Sequence, residues 1–228
     1  MDRRFDRPIL DEITKKGTLH VLRKGFSDRG SKFYLSFFQP SSGMNPDHQK
    51  LYESNRFSVI RQLKYSIKNE NSIDIGIFLN GLPILTMELK KSLTGQTVEK
   101  AKKQYKFDRD PKEPFLAFKR CLVHFAVGNE KVSMTTRLSS AKTRFLPFNL
   151  DTEKPVNPEG HKTSYLWEDI LKPDTLLDLI NNYLHIHTSS EKVYVKDKGL
   201  ISKESSAMIF PRFHQLDGYQ SLYREKSQ

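Results

Sequence analysis

Apolar runs interrupted by isolated charged residues lie between Asn71 and Lys91, where the chain reads NSIDIGIFLNGLPILTMELKK. Two apolar runs flank Asn80-Gly81, and a turn of this composition signals a hairpin, because a type I′ turn needs positive φ at both central residues. Ile, Leu, Phe and Met dominate the flanks, so both strands are expected to be largely buried. Side chains alternate across a strand. Glu88 and Lys90 therefore share one face while Met87 and Leu89 take the other, and Asp74 on the opposed strand has Ile73 and Ile75 turned away from it.

The same reading extends along the chain. FSVIRQLKYSI at 57–67 alternates, with Phe57, Val59, Arg61, Leu63 and Tyr65 on one parity, and is predicted to be the first strand of the central sheet. Upstream, GTLHVLRKGF and SKFYLSFF read as strands around the turn at Asp28-Arg29-Gly30, and a short helix is expected at 47–54 after Pro46. Downstream, a helix is expected from Gly95 to Phe107, then strands at 119–127 and 131–137 joined by Gly128-Asn129. Residues 139–165 read as a Pro- and Lys-rich loop, and 166–186 as an amphipathic helix with Leu171, Leu176, Leu179 and Ile180 inward. SSEKVYVKDKGLISKESSA, at 189–207, reads as a linker or edge segment. The order predicts an α/β fold with a mixed central β-sheet flanked by helices.

Two carboxylates and an ammonium on an apolar hairpin change the picture, because buried charges are costly unless they are paired or bind a metal. Mg²⁺ takes hard oxygen ligands at roughly 2.0–2.1 Å, and Asp74, Glu88 and the Leu89 backbone carbonyl would provide three of them, with Mn²⁺ as a substitute ion. Lys90 would position or deprotonate an attacking water and offset charge on a phosphate. The competing reading is a Lys-carboxylate pair that satisfies only itself.

Composition bears on partners. With 38 Lys+Arg against 27 Asp+Glu the net charge is +11, which favours a polyanion such as DNA without saying anything about fold. The single cysteine, Cys121, excludes an internal disulfide and a multi-cysteine zinc site, and its apolar surroundings suggest a buried structural thiol. His185 and His187 read as surface residues rather than metal ligands. A charged N-terminus, MDRRFDRP, and the lack of a long apolar stretch lead to the expectation of a cytoplasmic protein.

The hairpin resembles that of the PD-(D/E)xK nucleases, with Asp74, Glu88 and Lys90 at the motif positions and Ile73 where the motif has Pro. NRFSVIRQLKYS at 55–66, QYKFDRDPKEP at 104–114, KRCLVHFAVGNEKVSMTTRL at 119–138 and KTSYLWEDIL at 162–171 look like the N-terminal nuclease region of the R subunit of type I restriction enzymes. The resemblance implies the αβββαβ core of that superfamily and Mg²⁺-dependent hydrolysis of phosphodiester bonds in double-stranded DNA. In the full-length protein it implies coupling to ATP-driven translocation, with methyltransferase (M) and specificity (S) subunits supplying sequence recognition. It would also place Gln104 and Tyr105 near the DNA, although Tyr105 reads equally well as a core aromatic. Glu53 is the candidate for an upstream acid, and Gln62 for a group approaching the metal or the phosphate.

IFPRFHQLDGYQSLY at 209–223 resembles the start of a superfamily 2 motor, where Gln215 would contact the adenine of ATP. No P-loop follows before Gln228, and the segment from Gly25 to Lys32 misses GxxxxGK[ST] by one residue and reads as a hairpin turn. The expected organisation is a nuclease domain over 1–188, a linker over 189–208 and the start of a truncated motor over 209–228, within an N-terminal fragment of an R subunit. A DNA-binding or docking module with an inactive nuclease-like site, and a standalone nuclease, are the alternatives.

Overall fold

The computed structural model describes residues 6–40, 45–91, 97–149, 159–195 and 199–216. At its centre lies a six-stranded mixed sheet built from β3 (Phe57–Lys64), β4 (Ser72–Leu79), β5 (Leu82–Leu89), β6 (Val123–Val127), β7 (Val132–Thr135) and β8 (Leu146–Pro147), neighbours in that order. Every pairing is antiparallel except β5 with β6, so the connection between those two must cross over, and α4 (Val98–Lys103) lies within it. This is the α/β architecture that the element order implied.

The hairpin forms as its sequence demands. Asn80 and Gly81 have φ of 49° and 87°, Leu79 pairs with Leu82, and the Asn80 side chain ties the turn to the Arg56 N–H and the Leu35 carbonyl. Parity then sorts the sheet into two faces. Leu85, Met87, Val123, Phe125 and Val127 enter the main core with α1 (Asp6–Lys16), α2 (Thr18–Lys24) and α5 (Pro173–Asp178). Thr86, Glu88, His124 and Ala126 fall on the alternate positions, and Ala126 meets Val98 and Ala101 of α4.

Several expectations are corrected. GTLHVLRKGF is not a strand: its buried residues Thr18, Leu19, Val21 and Leu22 follow a helical stripe, and Gly17 and Gly25, both at positive φ, bracket the helix. Only Phe26–Asp28 (β1) and Ser31–Phe33 (β2) pair around the Asp-Arg-Gly turn, so the P-loop-like segment is a hairpin. The helix α3 (Pro46–Glu53) starts at Asn45, whose side chain accepts from the Asp47 N–H.

The helix expected at 95–107 runs as α4 and then widens to a π turn at Gln104–Asp108; Gly95 falls outside the described residues. The long amphipathic helix is broken between Leu166–Ile170 and α5, because Pro173 cannot continue a helix and instead starts one, and α5 then widens without a break into a π turn at Leu179–Tyr183. The 189–207 stretch belongs largely to a hairpin of β9 (His185–Val195) and β10 (Gly199–Ile209), paired from His185 with Ile209 to Val195 with Gly199. Beyond it, Phe210 and Phe213 pack against Phe148 and Tyr165, with ring centroids 5.9 Å apart for Phe148–Phe210 and 4.7 Å for Tyr165–Phe213. Among the described residues no helix is long and apolar enough to cross a membrane.

Candidate functional site

Asp74 on β4 and Glu88 on β5 occupy adjacent strands one step beyond the paired residues Ile75 and Met87. One Asp74 carboxylate oxygen, Oδ2, accepts the Leu89 N–H at 2.8 Å and lies 3.8 Å from the Lys90 ammonium; the other, Oδ1, accepts from Gln62 Nε2 at 3.2 Å. Lys90 and Asp74 remain partly open to solvent, with side chains 15% and 25% exposed. Lys90 is held in place by its own N–H, which donates to the Val127 carbonyl at 2.9 Å. Gln62 adopts φ 49° in the edge strand and also accepts from the Ser72 hydroxyl, so an uncommon backbone geometry turns its amide onto the Asp74 carboxylate.

Glu88 is in a different environment, with no exposed surface at all. Arg109, itself 7% exposed, donates to Glu88 Oε1 from Nε at 2.8 Å and Nη2 at 2.7 Å, and Nη2 also reaches the Ser72 carbonyl. Tyr65 lies under the guanidinium at 5.7 Å. Glu88 Oε2 is buried and has no hydrogen-bond partner among the described residues. Burial pushes this carboxyl up to about 7; Arg109 and Lys90 oppose the rise, and Asp74 adds to it. Beneath Glu88 on the same face, the Thr86 hydroxyl bridges the Tyr105 hydroxyl at 2.8 Å and His124 Nδ1 at 2.7 Å. Burial lowers His124 to about 4, so its ring is neutral at physiological pH.

Two carboxylates on neighbouring strands, one with an unpartnered buried oxygen, form a hard-oxygen donor set that fits Mg²⁺ or Mn²⁺. The three described groups of the motif and Gln62 are thus brought together. Glu53 is not among them. It sits on the exposed α3, paired with Gln49 at 2.7 Å, and α3 leads into the Phe57 end of β3, which pairs with Leu79 at the hairpin tip, the far end of β4 from Asp74.

Tyr105 is wholly buried as a core aromatic with its hydroxyl on Thr86, and the neighbouring Gln104 is half-buried at the junction of α4 and the π turn. Gln215 lies apart from the hairpin, where its side chain accepts the Arg212 N–H at 2.8 Å. Sequence reasoning overlooked Arg109, Thr86 and His124. Thr86 and His124 carried a signal, since each is a polar residue on an inward parity of a strand that is otherwise apolar; Arg109, in the loop after the π turn, carried none. Cys121 is buried, and burial pushes its thiol up, in keeping with a structural role. Among the described residues, no group of three or more His, Cys, Asp or Glu side chains is gathered, and His185 and His187 take exposed places at the start of β9.

A family model described as the type I restriction enzyme R protein N terminus matches residues 17–143. The chain is also 30% identical over 181 residues to a protein of Methanocaldococcus jannaschii named as the type I restriction enzyme MjaVIIIP endonuclease subunit, an alignment covering 77% of this chain and 16% of that protein. The chain therefore spans about a sixth of that relative's length, the 16% just given.

Proposed function

We propose, from the premise that this chain belongs to the family of type I restriction enzyme R protein N termini, that it is the endonuclease domain of such a subunit and that Asp74, Glu88 and Lys90 carry the hydrolysis of double-stranded DNA. The observation that carries this reading is Glu88: a fully buried carboxylate whose Oε2 has no partner among the described residues, opposite Asp74 and beside Lys90. A carboxylate so desolvated is costly to retain for structure alone.

Asp74 and Glu88, with the Leu89 carbonyl, would hold Mg²⁺ or Mn²⁺. When bound, such an ion supplies Lewis acidity toward a phosphate oxygen and toward water. The chain's own groups do the positioning. Arg109 holds Glu88 Oε1 and fixes the carboxylate, so that Oε2 is the oxygen that would take the ion. Gln62 and the Leu89 N–H anchor Asp74 from two sides. Lys90 keeps its ammonium near Asp74 Oδ2, where it can orient a water or donate to a phosphate oxygen whose charge grows during displacement. Coupling to ATP-driven translocation and assembly with M and S subunits extend the proposal to the whole subunit and rest on the family relationship.

The rival reading, a DNA-binding or docking module with an inactive site, draws on the Arg109–Glu88 pair, which by itself neutralises Glu88. Titration calorimetry of Mg²⁺ and Mn²⁺ into wild type, Asp74→Ala and Glu88→Gln, with plasmid nicking in parallel, separates the two. Binding lost in both variants is the expected result. Wild-type protein that takes up no ion, with or without DNA, would leave only the docking module.

A further inference from the structure

Away from Asp74 and Glu88, a groove of about 600 Å³ opens between β7, the 137–146 segment and the end of β10 with the residues that follow it. Four exposed cations line it, Arg137, Lys142, Arg144 and Arg212, and among the described residues no carboxylate does. None of the four forms an ion pair with a described residue. Arg137 is instead ordered by neutral groups: its guanidinium stacks over Phe118 at 4.6 Å and donates to the Ser206 carbonyl at 3.2 Å. Cations held this way keep their full charge for an outside partner, whereas those paired within the protein do not. Thr135, Thr136, Ser139 and Gln215 add neutral polar groups along the same walls.

The groove is joined to the candidate site by a stiff turn. Thr143 closes it, accepting the Ser139 N–H at 2.8 Å and donating to the Ser140 carbonyl at 2.7 Å, while the Lys142 N–H reaches the Ser139 carbonyl at 3.1 Å. Ser139 and Lys142 face the basic groove; Ser140 and Ala141 line a second hollow of about 400 Å³ together with Lys106, Arg109 and the carboxylates of Asp108, Asp110 and Glu113. Arg109 is the residue that holds Glu88. The two hollows therefore lie on either side of one turn, and the second reaches the residue that anchors the candidate site.

We propose that the groove ringed by Arg137, Lys142, Arg144 and Arg212 takes the sugar–phosphate backbone of duplex DNA. The choice of DNA as the phosphate-bearing partner rests on the nuclease reading above. Phosphodiester contacts made by exposed cations need no base recognition, which suits a domain that receives DNA rather than selecting it.

The test is fluorescence anisotropy with a labelled 30-base-pair duplex in EDTA across a KCl series, so that neither metal nor cleavage enters. Two triple variants of equal net charge are compared with wild type: Lys142→Gln with Arg144→Gln and Arg212→Gln in the groove, and Lys15→Gln with Lys24→Gln and Arg29→Gln, exposed residues of α1, α2 and the β1–β2 turn. The groove triple is expected to lose about 10- to 100-fold in affinity at moderate salt and about two to three from the log–log salt slope, with the control triple close to wild type. Equal losses in both triples would mean that binding reads net charge alone and would overturn the proposal, as would a groove triple that binds like wild type or a wild type that does not bind. Displacement of the duplex by micromolar inorganic triphosphate or ATP would assign the groove to a free nucleotide and overturn it too. Because metal binding by Asp74 and Glu88 is read separately by calorimetry, loss of that reading leaves the groove result intact, and the reverse.

Discussion

The two faces of the β5–β6 pair are made by neighbouring residues of the same strands, yet they meet different physics. Leu85, Met87, Phe125 and Val127 face an apolar core in which Phe125 sits edge-on to Phe148 and Phe210, at 5.3 and 6.0 Å. Thr86, Glu88 and His124 face a buried polar layer closed by Tyr105 and Arg109. On the first face every contact stabilises through burial and dispersion. On the second, one orphaned oxygen and a carboxylate pushed up to about 7 show a group kept at an energetic cost. The lesson is that parity alone separates the part of the sheet that holds the fold from the part available for chemistry.

Breaking each face should look different. Phe125→Ala is expected to cost about 3–5 kcal/mol through the cavity it leaves, and Arg109→Met a similar amount, about 3–5 kcal/mol, by leaving Glu88 buried without its cation. Adding Glu88→Gln to Arg109→Met should recover most of that loss in urea denaturation, whereas adding it to Phe125→Ala should recover none. Equal behaviour of the two double variants would show that the polar layer is packed like the core and carries no special charge cost.

Acidity sharpens the same contrast. Glu88 has a folded value near 7 against 4.5 for the free group, so its contribution is fully present below pH 4.5 and is lost as pH rises through 7. His124 has a folded value near 4 against 6.5, so its contribution is present above pH 6.5 and is lost as pH falls through 4. Between these limits the two oppose each other, and the metal-free wild type should show a shallow profile. Glu88→Gln should unmask His124 and lose about 3 kcal/mol between pH 7 and pH 4; His124→Gln should unmask Glu88 and gain about as much on acidification. Identical profiles for these two variants in EDTA would refute the assignment of the two groups. The smallest effect expected is for Tyr105→Phe, which removes the hydroxyl bound to Thr86 and should cost about 1 kcal/mol, measured by the shift of the urea midpoint at unchanged slope.

The chain by itself determined the hairpin and the sides of its charges. Asn80-Gly81 selects the turn, and a period of two puts Glu88 and Lys90 on one side and Met87 on the other, because both are local properties of four to ten residues. The helix at Thr18–Lys24 was legible in the same local way, through Gly17, Gly25 and the spacing of Leu19, Val21 and Leu22, but alternation was the wrong period to apply to it. What only the tertiary structure decided is whatever depends on strand order. Arg109 meets Glu88 across 21 residues, His124 reaches Thr86 across 38, and Gln62 turns onto Asp74 through a backbone angle that no propensity requires. Such partners are set by closing long loops around a crossover connection between parallel strands, and neither periodicity nor turn chemistry carries information about which residues a crossover will bring face to face.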